Sequence, residues 1–168
     1  MKQVIPICCL LAVLVSCQHE ARPQQYPLQV GDIDYDPKLD DPSFELCNDK
    51  QVPQYYNFGK GVQYQGEKPA INKHFESLFN YEGDLNDSGF ITIRFIVNCK
   101  GKTGRFRIQQ MDFDYQEKKF RDEWVPQLVE RTKQMSGWEI GQHNGSAYDY
   151  YQYLTFKIEK GKLIEIMP

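Results

Sequence analysis

The chain has 168 residues, 14% of them aromatic, and a formal net charge of −3. That length carries one domain with its own core rather than two, and the aromatic load excludes a disordered polymer. The mildly acidic, mixed-sign charge offers no basic stripe and argues against nucleic acid as a partner.

Met1 and Lys2 make a short positive start, and residues 4–15 are almost purely apolar, too few for a permanent membrane-spanning helix. The run stops at Leu14-Val15-Ser16-Cys17. A leucine three before a cysteine, with a small residue next to it, resembles the bacterial lipoprotein cleavage box. The resemblance implies a signal peptide over 1–16, lipidation (palmitate among the acyl chains) at Cys17, and attachment to a membrane through that lipid. Several acyl chains, at ~0.8 kcal/mol per buried methylene, hold a protein on a membrane almost irreversibly. An ordinary secretory signal, with Cys17 incidental, is the alternative. By that family's sorting rule an aspartate after the cysteine retains the protein in the inner membrane. Gln18 stands there instead, so the outer membrane of the cell envelope is expected, with the domain facing the periplasm or the outside. Residues 17–31, including "QHEARPQQYPLQV", read as a lipidated tether, and 32–168 as a single domain.

Cys8 and Cys9 leave with the signal, so two thiols remain, Cys47 and Cys99. In an exported chain they are expected to form a disulfide, closing a loop worth roughly 4 kcal/mol in the chain-entropy model. Two buried thiols or half of a metal site are the alternatives, and no cluster of His or further Cys supports a metal.

From Asp32 to Gly66 the chain is rich in Asp, Pro, Gly and Tyr and reads as irregular, with one short strand near residues 52–56. Pro69 suits a helix first turn, followed by Ile71, His74, Phe75, Leu78 and Phe79 on one face. "GFITIRFIVNCKGKTGRFRIQQM" reads as a hairpin. Ile91, Ile93, Phe95 and Val97 point one way, Thr92, Arg94 and Ile96 the other, and residues 98–101 turn. A second helix is expected within 116–135, with Phe120, Trp124, Leu128 and Met135 as its stripe. Asp122 as N-cap places Pro126 in the first turn, and Gly137 serves as C-cap. After a turn at "GQHNGS", "AYDYYQYLTFKI" alternates. Tyr148, Tyr150, Leu154, Phe156 and Ile158 face one way; Tyr151, Tyr153, Thr155 and Lys157 face the other. Gly161 leads into a last strand, "KLIEIM". The expected fold is α+β, a two-layer sandwich of an antiparallel three- to four-stranded sheet with two helices on one face and an irregular, disulfide-tied N-terminal segment.

Gly89 before "FITIRFIVNCKGKTGRFRI", then Phe120, a helix, Trp138-Glu139-Ile140-Gly141, Asn144-Gly145 and "LTFKI" follow an order that resembles the C-terminal domain of TonB-type energy transducers. The likeness covers about residues 68–168, and Trp138-x-x-Gly141 with a strand on each side is its best part. Lys68 stands where that family has a tyrosine before its proline, and Ile140 replaces the proline of its Trp turn. No inner-membrane helix or long Pro-rich spacer accompanies the domain, so the resemblance implies the fold and a habit of binding by strand addition, without energy transduction.

No catalytic constellation is legible, and no enzyme, cofactor or metal is expected. His19 falls in the tether, His74 beside an apolar helix face, and His143 in a turn. Gly59-Lys60-Gly61 and Gly101-Lys102-Thr103-Gly104 superficially resemble phosphate loops, yet the second joins two strands of a hairpin and lacks the following helix that a phosphate loop requires. Asp112, Asp114, Glu117 and Glu123 read as solvated surface. The tyrosines at 148, 150, 151 and 153 leave two readings. In one they pack against the helices and under the 36–66 segment. In the other Tyr151 and Tyr153, with Arg94 and Arg107, form an exposed recognition patch. The functions that follow are an envelope lipoprotein binding a protein partner or a second copy of itself, a peptidoglycan or glycan binder using Tyr151 and Tyr153, and an inhibitor inserting a loop such as "YYNFGKG".

Overall fold

The computed structural model describes residues 32–48, 50–57, 61–121 and 123–168. The expectations placed on the signal peptide, Cys17, His19, the tether, Gly59, Lys60 and Asp122 lie outside the described residues.

The fold is α+β: a four-stranded antiparallel sheet accompanied by short helices. In chain order the elements are α1 (Glu67–His74), α2 (Glu76–Phe79), β1 (Gly89–Val97), β2 (Thr103–Met111), α3 (Trp124–Gln134), β3 (Gly141–His143), β4 (Ser146–Tyr148), β5 (Tyr150–Glu159) and β6 (Lys162–Met167). The sheet order is β2-β1-β5-β6, and β3 and β4 pair separately.

The alternation of β1 fixes the layers. Its odd-numbered side chains, Ile91, Ile93, Phe95 and Val97, join Leu154, Phe156 and Ile158 of β5 in the main core. That core takes Ile71, Phe75 and Leu78 from α1, α2 and the residue between them, and Trp124 and Leu128 from α3, so the helices share one face of the sheet. Phe75 meets Phe156 edge-on, with ring centroids 5.0 Å apart. Pro69 and Pro126 are each the third residue of their helix, where a missing N–H leaves no intrahelical bond unmade.

Several boundaries differ from the sequence reading. The first helix is broken at Phe75 (φ −99°, ψ 8°), so that α2 is a separate single turn against β6. Gly137 is not a C-cap: α3 ends at Gln134 and Met135 is already extended. Gly137 is small for a different reason, because a Cβ there would stand 2.9 Å from the Tyr64 ring. Its carbonyl accepts the Gln65 N–H at 2.8 Å. "GQHNGS" is a small hairpin rather than a plain turn, with Asn144 (φ 50°) and Gly145 (φ 78°) supplying the left-handed pair that a two-residue connection needs. The alternating run from Tyr148 is interrupted at Asp149, whose carboxylate is committed elsewhere.

Candidate functional site: the second face of the sheet

Cross-strand register sorts the even-numbered face of β1 into four rows. Gly104, Ile96 and Tyr151 form the first; Arg107, Arg94 and Tyr153 the second; Gln109, Thr92, Thr155 and Met167 the third; Met111, Phe90, Lys157 and Glu165 the fourth. A bulge between Arg94 and Ile96 brings Gly104 opposite Ile96 and puts Arg105 at φ 54°.

The first row is covered by the N-terminal segment, residues 32–57, which lies across it as a strap. Ile33, Ile96 and Tyr151 are the buried centre of a second apolar cluster, with Phe44, Leu46 and Val52 packed around it. The Tyr151 hydroxyl accepts the Ile33 N–H at 3.2 Å and donates to Asp32 Oδ1 at 3.3 Å, and burial pushes its pKa up. Arg107 makes a two-pronged contact with Asp40, 2.7 and 2.8 Å, and donates to the Asp34 carbonyl at 2.6 Å. Hydrogen bonding from Arg107 holds the Asp40 carboxyl below the usual carboxylate range. Tyr55 sets its ring edge against Tyr153 at 5.4 Å.

The strap also completes the sheet. β6 pairs with β5 only as far as Thr155, which leaves the edge beside Tyr151 unpaired by any strand. Residues 53–55 fill that gap: Tyr55 donates to the Tyr151 carbonyl at 3.0 Å, and the Tyr151 N–H returns to the Pro53 carbonyl at 2.9 Å.

A disulfide between Cys47 and Cys99 fastens the strap to the β1–β2 turn. Beside it, Asp149 is fully buried, and its carboxylate accepts the N–H groups of Cys47 (2.7 Å), Asn48 (2.8 Å) and Cys99 (2.8 Å). Asn98 donates to the Glu45 carbonyl while its side-chain oxygen accepts from Lys100 and Lys102, shaping the turn. Cys47, Cys99 and Asp149 are the grouping among the described residues tight enough to suggest a cation. Their sulfurs are bonded to each other and the carboxylate is already occupied by amides.

The expected exposed pair of Tyr151 and Tyr153 does not match this geometry. Tyr151 is 6% exposed beneath the strap, Tyr153 is half-buried against Tyr55, and Arg107 is engaged by Asp40. Arg94 is half-buried in the same row. Tyr151 and Tyr153 are packed side chains rather than an exposed pair. Tyr150 likewise sits in the main core, its hydroxyl donating to the Glu139 carbonyl at 2.8 Å.

The third and fourth rows lie beyond the strap. Thr92 and Thr155 hydrogen bond across the strands at 3.0 Å. At the open end Phe90 meets two rings from the loop after β2. Phe113 stands edge-on to Phe90 at 5.2 Å and Tyr115 lies nearly parallel to it at 5.9 Å. Phe113 is 40% and Tyr115 71% exposed, and the Lys157 ammonium lies 5.8 Å from the Phe113 centroid. The loop is braced from within: Asp112 accepts the Asp114 and Gln116 N–H groups at 2.9 Å each, and its own N–H bonds the Gln116 carbonyl. Below it Gly89 (φ 142°) is indispensable, because a Cβ there would stand 2.2 Å from the Met111 carbonyl. Sequence reading passed over this corner because "DFDYQE" alternates aromatics with acids inside a turn and so resembles solvated surface. The signal available was two large rings in a segment too short to bury them.

Three titratable side chains outside this face are held by structural contacts. His74 Nε2 lies 2.8 Å from the Arg131 carbonyl while Arg131 bonds the His74 carbonyl in return, a helix-to-helix tie. Glu123 accepts the Tyr81 hydroxyl, and Asp112 is used by its own loop. No described helix is long and apolar enough to cross a membrane. Comparison with protein-family models, curated proteins and solved structures finds no match for this chain.

Proposed function

We propose that this chain is a non-enzymatic binding module of the bacterial cell envelope, carried on a lipid at Cys17, that engages a protein partner or a second copy of itself through the uncovered half of its second sheet face. The order helix, hairpin, helix, strands supports a TonB C-terminal-like arrangement without energy transduction. The observation that carries the reading is the division of that face. Two rows are occupied by the chain's own strap, and two rows of mixed polar and aromatic side chains are left beside a rigid loop.

Binding at the face is favoured over strand addition at an edge. The gap beside Tyr151 is filled by residues 53–55. β2 is interrupted by the bulge at Arg105 and its end pairs with residues 116–118. β6 is flanked by the Lys68–Glu165 and Lys162–Glu82 ion pairs. Each of these is a known device for blunting a sheet edge.

A photo-crosslinker at Gln109 or Thr155 in growing cells should trap one reproducible species, whereas the same group at Ile140, an exposed side chain beside the β1–β2 turn at the other end of the sheet, should not. Mass analysis of the mature N-terminus should find an acylated Cys17. A non-acylated terminus refutes the anchor, and a face that traps nothing in a monomeric protein refutes the binding role.

A further inference from the structure

We propose that the corner made by Phe90, Phe113 and Tyr115 is a carbohydrate-binding site, with Tyr115 as the platform on which a pyranose ring stacks. This rests on the reading of the open sheet face as a binding surface and adds a second class of ligand, taken at the corner alone.

The first support is that the fold holds these rings in water at a cost. Tyr115 has φ 59°, a left-handed conformation that a bulky side chain adopts at ~1–2 kcal/mol, and nothing is gained by burying the ring, since it is 71% exposed. The strain is held in place by the Asp112 carboxylate, by the Tyr115 N–H to the Asp112 carbonyl at 3.2 Å, and by Lys118, which bonds the Asn86 and Ser88 carbonyls at 3.0 Å each. Over-determined strain clusters at ligand clamps and other functional sites, and at Tyr115, unlike Arg105 in its bulge and Asn144 in its hairpin turn, it presents a large ring to solvent.

The second support is what surrounds the rings. Phe113 and Tyr115 stand exposed together at this corner, and register places Lys157, Glu165, Thr155 and Gln109 in the rows beside it, all on the same face. A sugar has the matching pattern: one face of C–H groups carrying slight positive charge, and a perimeter of hydroxyls. The negative face of an aromatic ring attracts such C–H groups as it attracts the edge of another ring. Ammonium, carboxylate, amide and hydroxyl groups then serve the perimeter as donors and acceptors. An anionic lipid surface fits poorly, because Asp114, Glu117 and Glu165 stand exposed around the corner. The described chain starts at Asp32, bonded to Tyr151 in the first row, and the corner is six residues along β1 at the other end of the sheet, about 20 Å away. A domain attached through its N-terminus is therefore attached at the end away from the corner.

The test uses purified murein sacculi in a pelleting assay, and soluble β-linked N-acetylglucosamine and glucose oligomers in titrations followed by tyrosine fluorescence. Wild-type protein should pellet or saturate. Tyr115→Ala and Phe113→Ala should weaken binding by roughly tenfold or more, Tyr115→Phe should restore most of it, and Tyr56→Ala, an exposed ring outside the corner, should behave as wild type. Tyr115→Gly is the sharpest variant: it removes the platform and relieves the left-handed strain, so binding is lost while the urea midpoint does not fall. A response to the acetylated oligomers alone assigns the N-acetyl group as part of what is read. No saturable binding to either polymer, or equal binding by wild type and Tyr115→Ala, overturns the proposal. If sugars fail while a crosslinker at Gln109 still traps a protein, the carbohydrate assignment falls and the binding-face reading stands. If both fail, both fall.

Discussion

The seating of the strap on the sheet can be tested at a single glycine. A Cβ added at Gly104 would stand 2.3, 2.5 and 2.6 Å from three ring atoms of Phe44, closer than any real contact, so Gly104→Ala must push that ring out of the second cluster. Overpacking costs about 1–3 kcal/mol, and Phe44 is only half-buried and can yield, so about 1.5 kcal/mol is expected. Phe44→Ala alone should cost about 2 kcal/mol, below the range for a fully buried ring. In the Phe44→Ala background the clash is gone, and Gly104→Ala should then stabilise by about 0.5 kcal/mol through reduced freedom of the unfolded chain. The cycle therefore predicts a coupling of about 2 kcal/mol between two residues 60 positions apart. Urea denaturation of the four oxidised proteins measures it directly. Additive effects, with the same cost for Gly104→Ala in both backgrounds, would refute the claim that Phe44 lies on Gly104.

Replacing Cys47 and Cys99 together by serine should lower stability by about 4 kcal/mol, since the bridge closes a loop with a sequence separation of 52; a loss under 1 kcal/mol in urea would show that the strap is held by its other contacts alone. Because Arg107 lowers the Asp40 pKa in the folded state, that carboxylate contributes stability fully present above the ordinary value of about 4 and lost as pH falls through the depressed one. The urea midpoint should therefore drop more steeply in acid for wild type than for Asp40→Asn, and parallel curves would contradict the latch. Burial raises the Tyr150 pKa, so its contribution is present below about pH 10, where the unfolded chain ionises, and is lost as pH rises further. Tyr150→Phe should flatten the alkaline limb of the stability profile, at the expense of the bond to the Glu139 carbonyl.

What was legible in the sequence tracks the range over which each determinant acts. Alternation in "FITIRFIV" and the spacing of Trp124 and Leu128 depend on neighbours a few residues away, and both held in the structure. The Cys47–Cys99 pair was legible by counting. The break at Phe75, the strained loop at Tyr115 and the role of Gly137 were not, because each is decided by a partner distant in sequence: Phe156, Phe90 and Tyr64. The tyrosine cluster shows the same limit. Alternation correctly put Tyr151 on the face away from the helices, yet periodicity could not say that Ile33, more than a hundred residues earlier, would cover it. Nothing in the alternation of "AYDYYQYLTFKI" singles out Asp149, and only its three amide partners explain why the strand starts after it.

Those three partners bear on how the cross-link comes to exist. One buried carboxylate holds the main chain of both sulfur-bearing segments side by side, so the two sulfurs are aligned by contacts that do not depend on the covalent bond. In a polypeptide with five cysteines, such alignment by a carboxylate favours this pairing over the others.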